Sequence, residues 1–157
     1  EIENLGEYMR RGGFVFADNG NPSSEYSQAE ASLRKIFKDA LRGEGVLRLI
    51  PNDHPIYHVF YDFDGPPVGA ELVVGGRGGQ RGGESVVIAR SSYHLEGVFI
   101  GGRLVAVYSD KGYVHTWARN FGNEPQLRFG INAIIFALTQ EGSIAQQQID
   151  FYSQGRG

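Results

Sequence analysis

The stretch GGFVFADNGNP, residues 12–22, decides the fold. Phe14-Val15-Phe16-Ala17 is a short apolar run after a glycine pair, and Asp18-Asn19-Gly20-Asn21-Pro22 has turn chemistry throughout. It reads as a buried strand and its exit loop. Upstream, Ile2, Leu5, Tyr8 and Met9 recur at helical spacing. Arg10 and Arg11 follow in the last turn, where the helix dipole favours cations, and Gly12 is the stop. Downstream, Tyr26, Ala29, Leu33, Ile36, Phe37, Ala40 and Leu41 trace one helical face, with Ser27 and Glu30 at capping-box spacing. Gly43 and Gly45 end that helix, and Val46 to Ile50 reads as a second strand. Helix, strand, helix, strand with short connections is the order of a parallel sheet covered by helices. The expected class is therefore a three-layer, doubly wound α/β domain with a mostly parallel sheet.

Further along, IPNDHPIYHVFYDFDG (50–65) places Pro55 where it suits the first turn of a short helix, with Asp53 or His54 near the cap and Ile56, Val59 and Phe60 turned inward. The segment 64–87 holds six glycines between 75 and 83, too many to fix one conformation cheaply, and is expected to be a mobile loop between two short strands. It lacks the Lys-Ser/Thr ending of a P-loop and the helix that follows a dinucleotide fingerprint, so no cofactor is expected. Leu95–Ile100 and Arg103–Ser109 flank Gly101-Gly102, the signal of an antiparallel hairpin spanning 95–109. Residues 110–122 read as irregular or one helical turn. Asn123-Glu124-Pro125 then starts a helix whose inner face is expected to be Leu127, Ile131, Ile134, Ile135 and Leu138. The domain is read as 1–141, with 142–157 a loosely packed tail.

Length and composition narrow the function classes. A chain of 157 residues with 41% hydrophobic and 21% charged residues is one globular domain. No run approaches the roughly 18 apolar residues of a membrane span. The net charge of −3 with scattered basic residues argues against nucleic acid. The absence of cysteine removes thiol nucleophiles, Cys-ligated zinc, iron–sulfur clusters and disulfides. The chain opens on Glu1 within a helical pattern, and the expectation is a piece of a longer product whose signal or anchor lies upstream.

In open α/β sheets ligands bind beyond the carboxyl ends of the strands. Those ends carry Asp18-Asn19, Asn52-Asp53-His54 and Tyr108-Ser109-Asp110. Brought together, they would offer carboxylates, an imidazole and a hydroxyl for acid–base work or a divalent metal. The alternative is that Asp18, Asn52 and Asp53 cap helix starts and turns. The expected ligand-binding set is Asp18, Asn19, Asn52, His54, Tyr108, Ser109, Asp110 and Trp117, and the catalytic candidates are Asp18, Asp53, His54 and Ser109. His54 and His58 are four apart, as in helical zinc sites, but lack the Glu of H-E-x-x-H. A Ser–His–Asp set built on Ser109, His54 or His115, and Asp18 lacks the G-x-S-x-G elbow. Trp117, beside Tyr113 and His115, could stack on a ligand or close over the core.

Four ordered blocks, LGEYMRRGGFVFADN, DHPIYHVFYDF, GGRLVAVYSDKGYVHTW and LRFGINAIIFAL, carry a family likeness across most of residues 5–139. Together they resemble the bacterial domain-of-unknown-function family numbered 4159. The resemblance implies a flavodoxin-like fold similar to that of class I glutamine amidotransferases, and a bacterial envelope or secreted setting. Amidotransferase chemistry needs a cysteine nucleophile, so the likeness implies the fold without its usual catalyst. The resemblance further implies that the Gly-Arg insertion at 75–83 widens a family loop, and the family's usual first strand and helix are expected to lie before residue 1, which could expose a sheet edge. The expected function is a non-catalytic module binding a small ligand or a protein, the partner being another chain or the amino-terminal part of its own product. Two alternatives stand beside it. One is a hydrolase using Asp18, Asp53 and His54, with or without a divalent metal, and Ser109 or a bound water as nucleophile; the other is a structural module docking another chain through a sheet edge or the surface around Trp117.

Overall fold

The computed structural model describes residues 1–20, 27–70, 72–75, 85–88 and 94–154. Its centre is β6 (Arg103–Ser109), in which every residue from Leu104 to Ser109 is buried. A strand this apolar, Leu-Val-Ala-Val-Tyr, needs cover on both faces and a neighbour on each side. It has both: β1 (Val15–Asp18) pairs parallel on one side and β5 (Glu96–Ile100) antiparallel on the other. Beyond β5 lies the two-residue β2 (Arg48–Leu49), so the sheet order is β1-β6-β5-β2. A separate two-stranded sheet joins β3 (Leu72–Gly75) antiparallel to β4 (Ser85–Ile88).

Two cores flank the four-stranded sheet. On one face α1 (Ile2–Arg10) and α2 (Gln28–Leu41) bring Met9, Phe37, Ala40 and Leu41 onto Val98, Ala106 and Tyr108. On the other face α3 (Tyr113–Trp117), α4 (Glu124–Thr139) and the short 3-10 turn Pro55–Tyr57 bring Tyr113, Phe129, Phe136, Ile56 and Tyr57 onto Leu104 and Val107. Along β6 the side-chain alternation slips once. Val98 lies opposite Ala106 but Phe99 opposite Leu104, which leaves Val105 as the extra residue of a bulge. Val105 and Ala106 consequently both feed the α1/α2 core. Arg34 ties the helical layer to the sheet, holding Glu96 on β5 at 2.6 Å and Glu30 on its own helix at 3.0 Å.

Several expectations hold and several are corrected. The capping box forms, with Ser27 Oγ accepting from Glu30 N at 3.1 Å. The hairpin turns at Gly101 and Gly102, both at positive φ, a conformation glycine adopts without strain. The three layers are present. The mostly parallel sheet is not: one of its three pairings is parallel, because β5 enters between β2 and β6 as an antiparallel hairpin arm. The crossover through α2 does return β2 in the direction of β1, but with two strands between them. The expected strand 46–50 shrinks to Arg48–Leu49, an exposed edge.

The inner face assigned to α4 is also corrected. Leu127, Ile131, Ile134 and Leu138 are 45%, 41%, 63% and 54% exposed, Ile135 is half-buried, and the buried residues are Phe129, Asn132, Ala133 and Phe136. The helix is apolar on two sides, and the side with the larger aromatic area faces the core. The tail is a helix, α5 (Ile144–Gln154), with no buried residue. It is held at its start by Ile144 N donating to Gly12 O at 3.2 Å and by Gln147 Nε2 donating to Arg11 O at 3.1 Å. Of the expected Gly-rich loop, residues 76–83 lie outside the described residues.

The α1–α2 packing rests on one missing side chain. A Cβ at Gly6 would overlap the carbonyl of Ala40 on α2. Alanine there gains about 1 kcal/mol of helix propensity but forces two helices apart in a filled core, which costs about 1–3 kcal/mol. Because the clash is with backbone, we expect the loss to win. Urea unfolding of Gly6→Ala should show a lower midpoint than wild type, and a higher midpoint would refute this account of the packing.

Candidate functional site

Parallel pairing with Asp18 in register with Ser109 brings the carboxyl ends of β1 and β6 side by side. Ser109 Oγ donates to Asp18 Oδ1 at 2.7 Å, and the other carboxylate oxygen accepts from Val114 N at 2.9 Å. Gly112, at φ 62, turns the chain so that the first amides of α3 point at Asp18. Ser109 Oγ also accepts from Lys111 N at 3.1 Å, and Ser109 O accepts from Asn19 N at 2.7 Å. Asn19, Ser109 and Lys111 are all at most 2% exposed. Burial pushes the Asp18 carboxyl above the usual carboxylate range, against the opposing pull of its hydrogen bonds to Ser109 and the α3 amides.

This cluster gathers Asp18, Asn19 and Ser109, but not the imidazole. Asn52 and Asp53 follow β2, three strand spacings or roughly 14 Å from β1 across the sheet. Asn52 there bonds His94 Nδ1 at 3.1 Å through its side chain and His58 Nε2 at 3.0 Å through its carbonyl. His54 turns back over the sheet. Its ring packs edge-on against Phe136 at 5.3 Å and Phe99 at 5.9 Å, and its Nδ1 accepts from Ile56 N at 3.2 Å as the cap of the Pro55–Tyr57 turn. It borders a 570 Å³ recess with Gly101, Gly102 and Arg103, at the far end of β6 from Ser109. Burial holds its pKa below the usual histidine value, with Asp53 opposing.

The single crevice expected from three strand ends is therefore not assembled. His58 Nδ1 is 3.3 Å from Asp62 and its other nitrogen is on Asn52 O, so both its nitrogens serve the 52–62 loop. Among the described residues no group of three His, Cys, Asp or Glu side chains converges as a metal site. Ser109 has its hydroxyl engaged by Asp18 and the Lys111 amide and is inaccessible, the opposite of an activated nucleophile. Tyr108 points to the α1/α2 side, with the Arg34 guanidinium 4.8 Å over its ring, and its pKa is pushed up to about 12, chiefly by burial. His115 binds the Gly20 carbonyl from an exposed position.

Trp117 stands apart from that cluster. Its Nε1 donates to Gln126 O at 2.9 Å, and its ring stacks on Tyr113 at 5.8 Å and tilts against Phe16 at 5.9 Å. With Phe14, Phe16, Leu127, Ile131 and Ile134 it lines an apolar groove of about 470 Å³ between β1 and α4. Asn132, which pattern reasoning passed over, is wholly buried on the core-facing side of α4. It accepts from Tyr61 N at 2.8 Å and donates to Tyr61 O at 2.8 Å and Ile56 O at 3.2 Å, clamping the 56–61 segment. A lone amide inside the apolar run 131–138 was the available signal.

These features define a three-layer α/β domain with a mixed sheet, a capped strand-end carboxylate and an apolar groove along one sheet edge. The chain matches the family described as Domain of unknown function (DUF4159) over residues 1–138 and belongs to that family. No curated protein matches it.

The strand-end cluster has a pH signature. Because the folded-state pKa of Asp18 lies above its unfolded value, the native state binds more protons between the two, and stability falls as pH rises through that window. Unfolding free energies of wild type and Asp18→Asn, compared from about pH 3 to 7, should diverge, with wild type losing ground to the variant as pH rises. Parallel curves would show that Asp18 is not held out of water as described.

Proposed function

We propose that this domain is a protein-docking module that receives an extended strand of a partner polypeptide along β1. The observation that carries the reading is the open edge of β1 beside an apolar groove. Among the described residues β1 has β6 on one side and no strand on the other. The other edge, β2, is two residues long and carries Arg48, a short charged edge of the kind that resists pairing. β1 is four residues of Val-Phe-Ala-Asp without such protection. Added strands gain affinity from main-chain hydrogen bonds and specificity from side-chain pockets, and the groove under β1 supplies the pocket.

The hydrolase alternative loses support from the same geometry, since His54 and Ser109 lie at opposite ends of β6. The docking reading is tested by titrating low concentrations of labelled protein with a soluble octapeptide of alternating valine and lysine while following amide NMR shifts. Expected are shifts confined to residues 14–18 and 127–138, abolished by Ile134→Glu, a substitution at a position 63% exposed and therefore compatible with folding. Shifts elsewhere, or none at millimolar peptide, would overturn it.

A further inference from the structure

The recess of 570 Å³ at the far end of β6 from Ser109 is bordered by the β5–β6 turn, the start of β6, the His54 cap and the residues that follow α4. Its size is that of an ordinary small-molecule site. Four polar side chains on its walls keep hydrogen-bonding capacity that the fold does not use. His54 Nδ1 accepts from Ile56 N, so in the neutral ring that burial favours the proton sits on Nε2. That N–H has no hydrogen-bond partner among the described residues, and it is not one of the polar atoms sealed from solvent. Gln140 is fixed in the same manner. Its amide nitrogen donates to Leu104 O at 3.1 Å, a partner that can only accept, which leaves Oε1 as an open acceptor.

Arg103 and Glu141 supply the charges. Arg103 donates from Nη1 to Gly13 O at 3.2 Å and from Nη2 to Met9 O, which tethers its guanidinium to the end of α1 with other N–H groups unspent. Burial lowers its pKa with no acidic neighbour opposing. Glu141 is exposed and, among the described residues, likewise has no ion-pair partner. A cation and a carboxylate thus line one recess without pairing with each other.

That distribution selects the charge type of an occupant. A metal ion would meet a guanidinium, with one imidazole and one carboxylate as its charged or nitrogen ligands. A simple anion would satisfy Arg103 and His54 but set like charge toward Glu141. A zwitterion meets both: its carboxylate accepts from Arg103 and His54, and its ammonium donates to Glu141 and Gln140 Oε1. Between these groups Ile100, Leu104 and Phe136 offer an apolar wall for a hydrocarbon side chain. The carboxylate side is also preorganised. The His54 ring is held edge-on by Phe99 and Phe136, and Arg103 by two carbonyls, so binding has little rotamer freedom left to remove.

We infer that this recess binds a free α-amino acid with an apolar side chain, its carboxylate held by Arg103 and His54 and its ammonium by Glu141 and Gln140. The inference goes beyond the docking reading and does not depend on it, since no residue of the recess lines the groove beside β1.

The test is amide NMR titration to about 20 mM with leucine, with 4-methylpentanoate, which is leucine without its ammonium, and with 3-methylbutylamine, which is leucine without its carboxylate. Leucine should shift His54, residues 100–104 and residues 140–142, with 4-methylpentanoate about threefold weaker and 3-methylbutylamine without effect. His54→Asn keeps a side-chain acceptor to cap the Pro55–Tyr57 turn but loses the Nε2 donor, and should weaken leucine about tenfold. Glu141→Gln, at an exposed position and compatible with folding, should bring leucine down to the affinity of 4-methylpentanoate and leave the latter unchanged. Circular dichroism confirms that each variant is folded, and the analogue pair with Glu141→Gln carries the test should His54→Asn not fold. Leucine that shifts nothing, or shifts residues outside the recess, would overturn the assignment. So would 3-methylbutylamine binding as tightly as leucine, or leucine affinity unchanged in the folded variants. The peptide titration reads other residues and decides the docking reading separately.

Discussion

The parallel pairing of β1 with β6 is the constraint on which the rest depends. β6 is buried along six consecutive residues and tolerates no exposed face. It takes its hairpin partner β5 on one side, and β1 pairs along the other. That choice sets Asp18 beside Ser109, carries α1 and α2 to one face, and leaves α3 and α4 to cover the other. The bulge at Val105 fits two side chains of one strand into the α1/α2 core.

The same pairing explains why the polar strand ends form a brace. Asp18 links three elements: its own strand, the hydroxyl on β6 and the first turn of α3. Removing a carboxylate from water raises the cost of its charge, and these bonds offset part of that cost. Ser109 donates to the carboxylate and accepts from the Lys111 amide, so its hydroxyl is engaged on both sides. Chemistry at the β1–β6 strand ends would have to break the junction that orients α3.

What was legible in the sequence was local. Ser27 and Glu30, Gly101-Gly102, and Pro55 after His54 carry turn and cap chemistry that acts within a few residues, and these caps and turns form as read, although Phe60, expected to turn inward, is 64% exposed. Strand order was not legible, because nothing in Val46–Ile50 distinguishes a neighbour of β1 from a strand three places away. The site followed that error. Asp18 and Ser109 meet through their pairing, but Asn52 and His54 were assigned to the crevice by an adjacency of β2 and β1 that the inserted hairpin removes. His54 then behaves as Pro55 demands, capping a turn, with its ring filling the space between Phe99 and Phe136.

The face of α4 failed for a different reason, and that failure points to the surface. Periodicity finds an apolar stripe but does not choose between two of them. Phe129 and Phe136 bury more area than the aliphatic stripe and take the core, where Phe129 stacks on Tyr57 at 5.7 Å. Asn132 belongs with them, since its three bonds to the 56–61 segment need a dry surrounding to hold that segment firmly. The displaced stripe of Leu127, Ile131, Ile134 and Leu138 stays 41–63% exposed. Leu127, Ile131 and Ile134 line the apolar groove with Phe14 and Phe16 beside β1, whose outer edge carries no strand among the described residues. An exposed apolar patch of this kind is the physical ground on which the docking proposal rests.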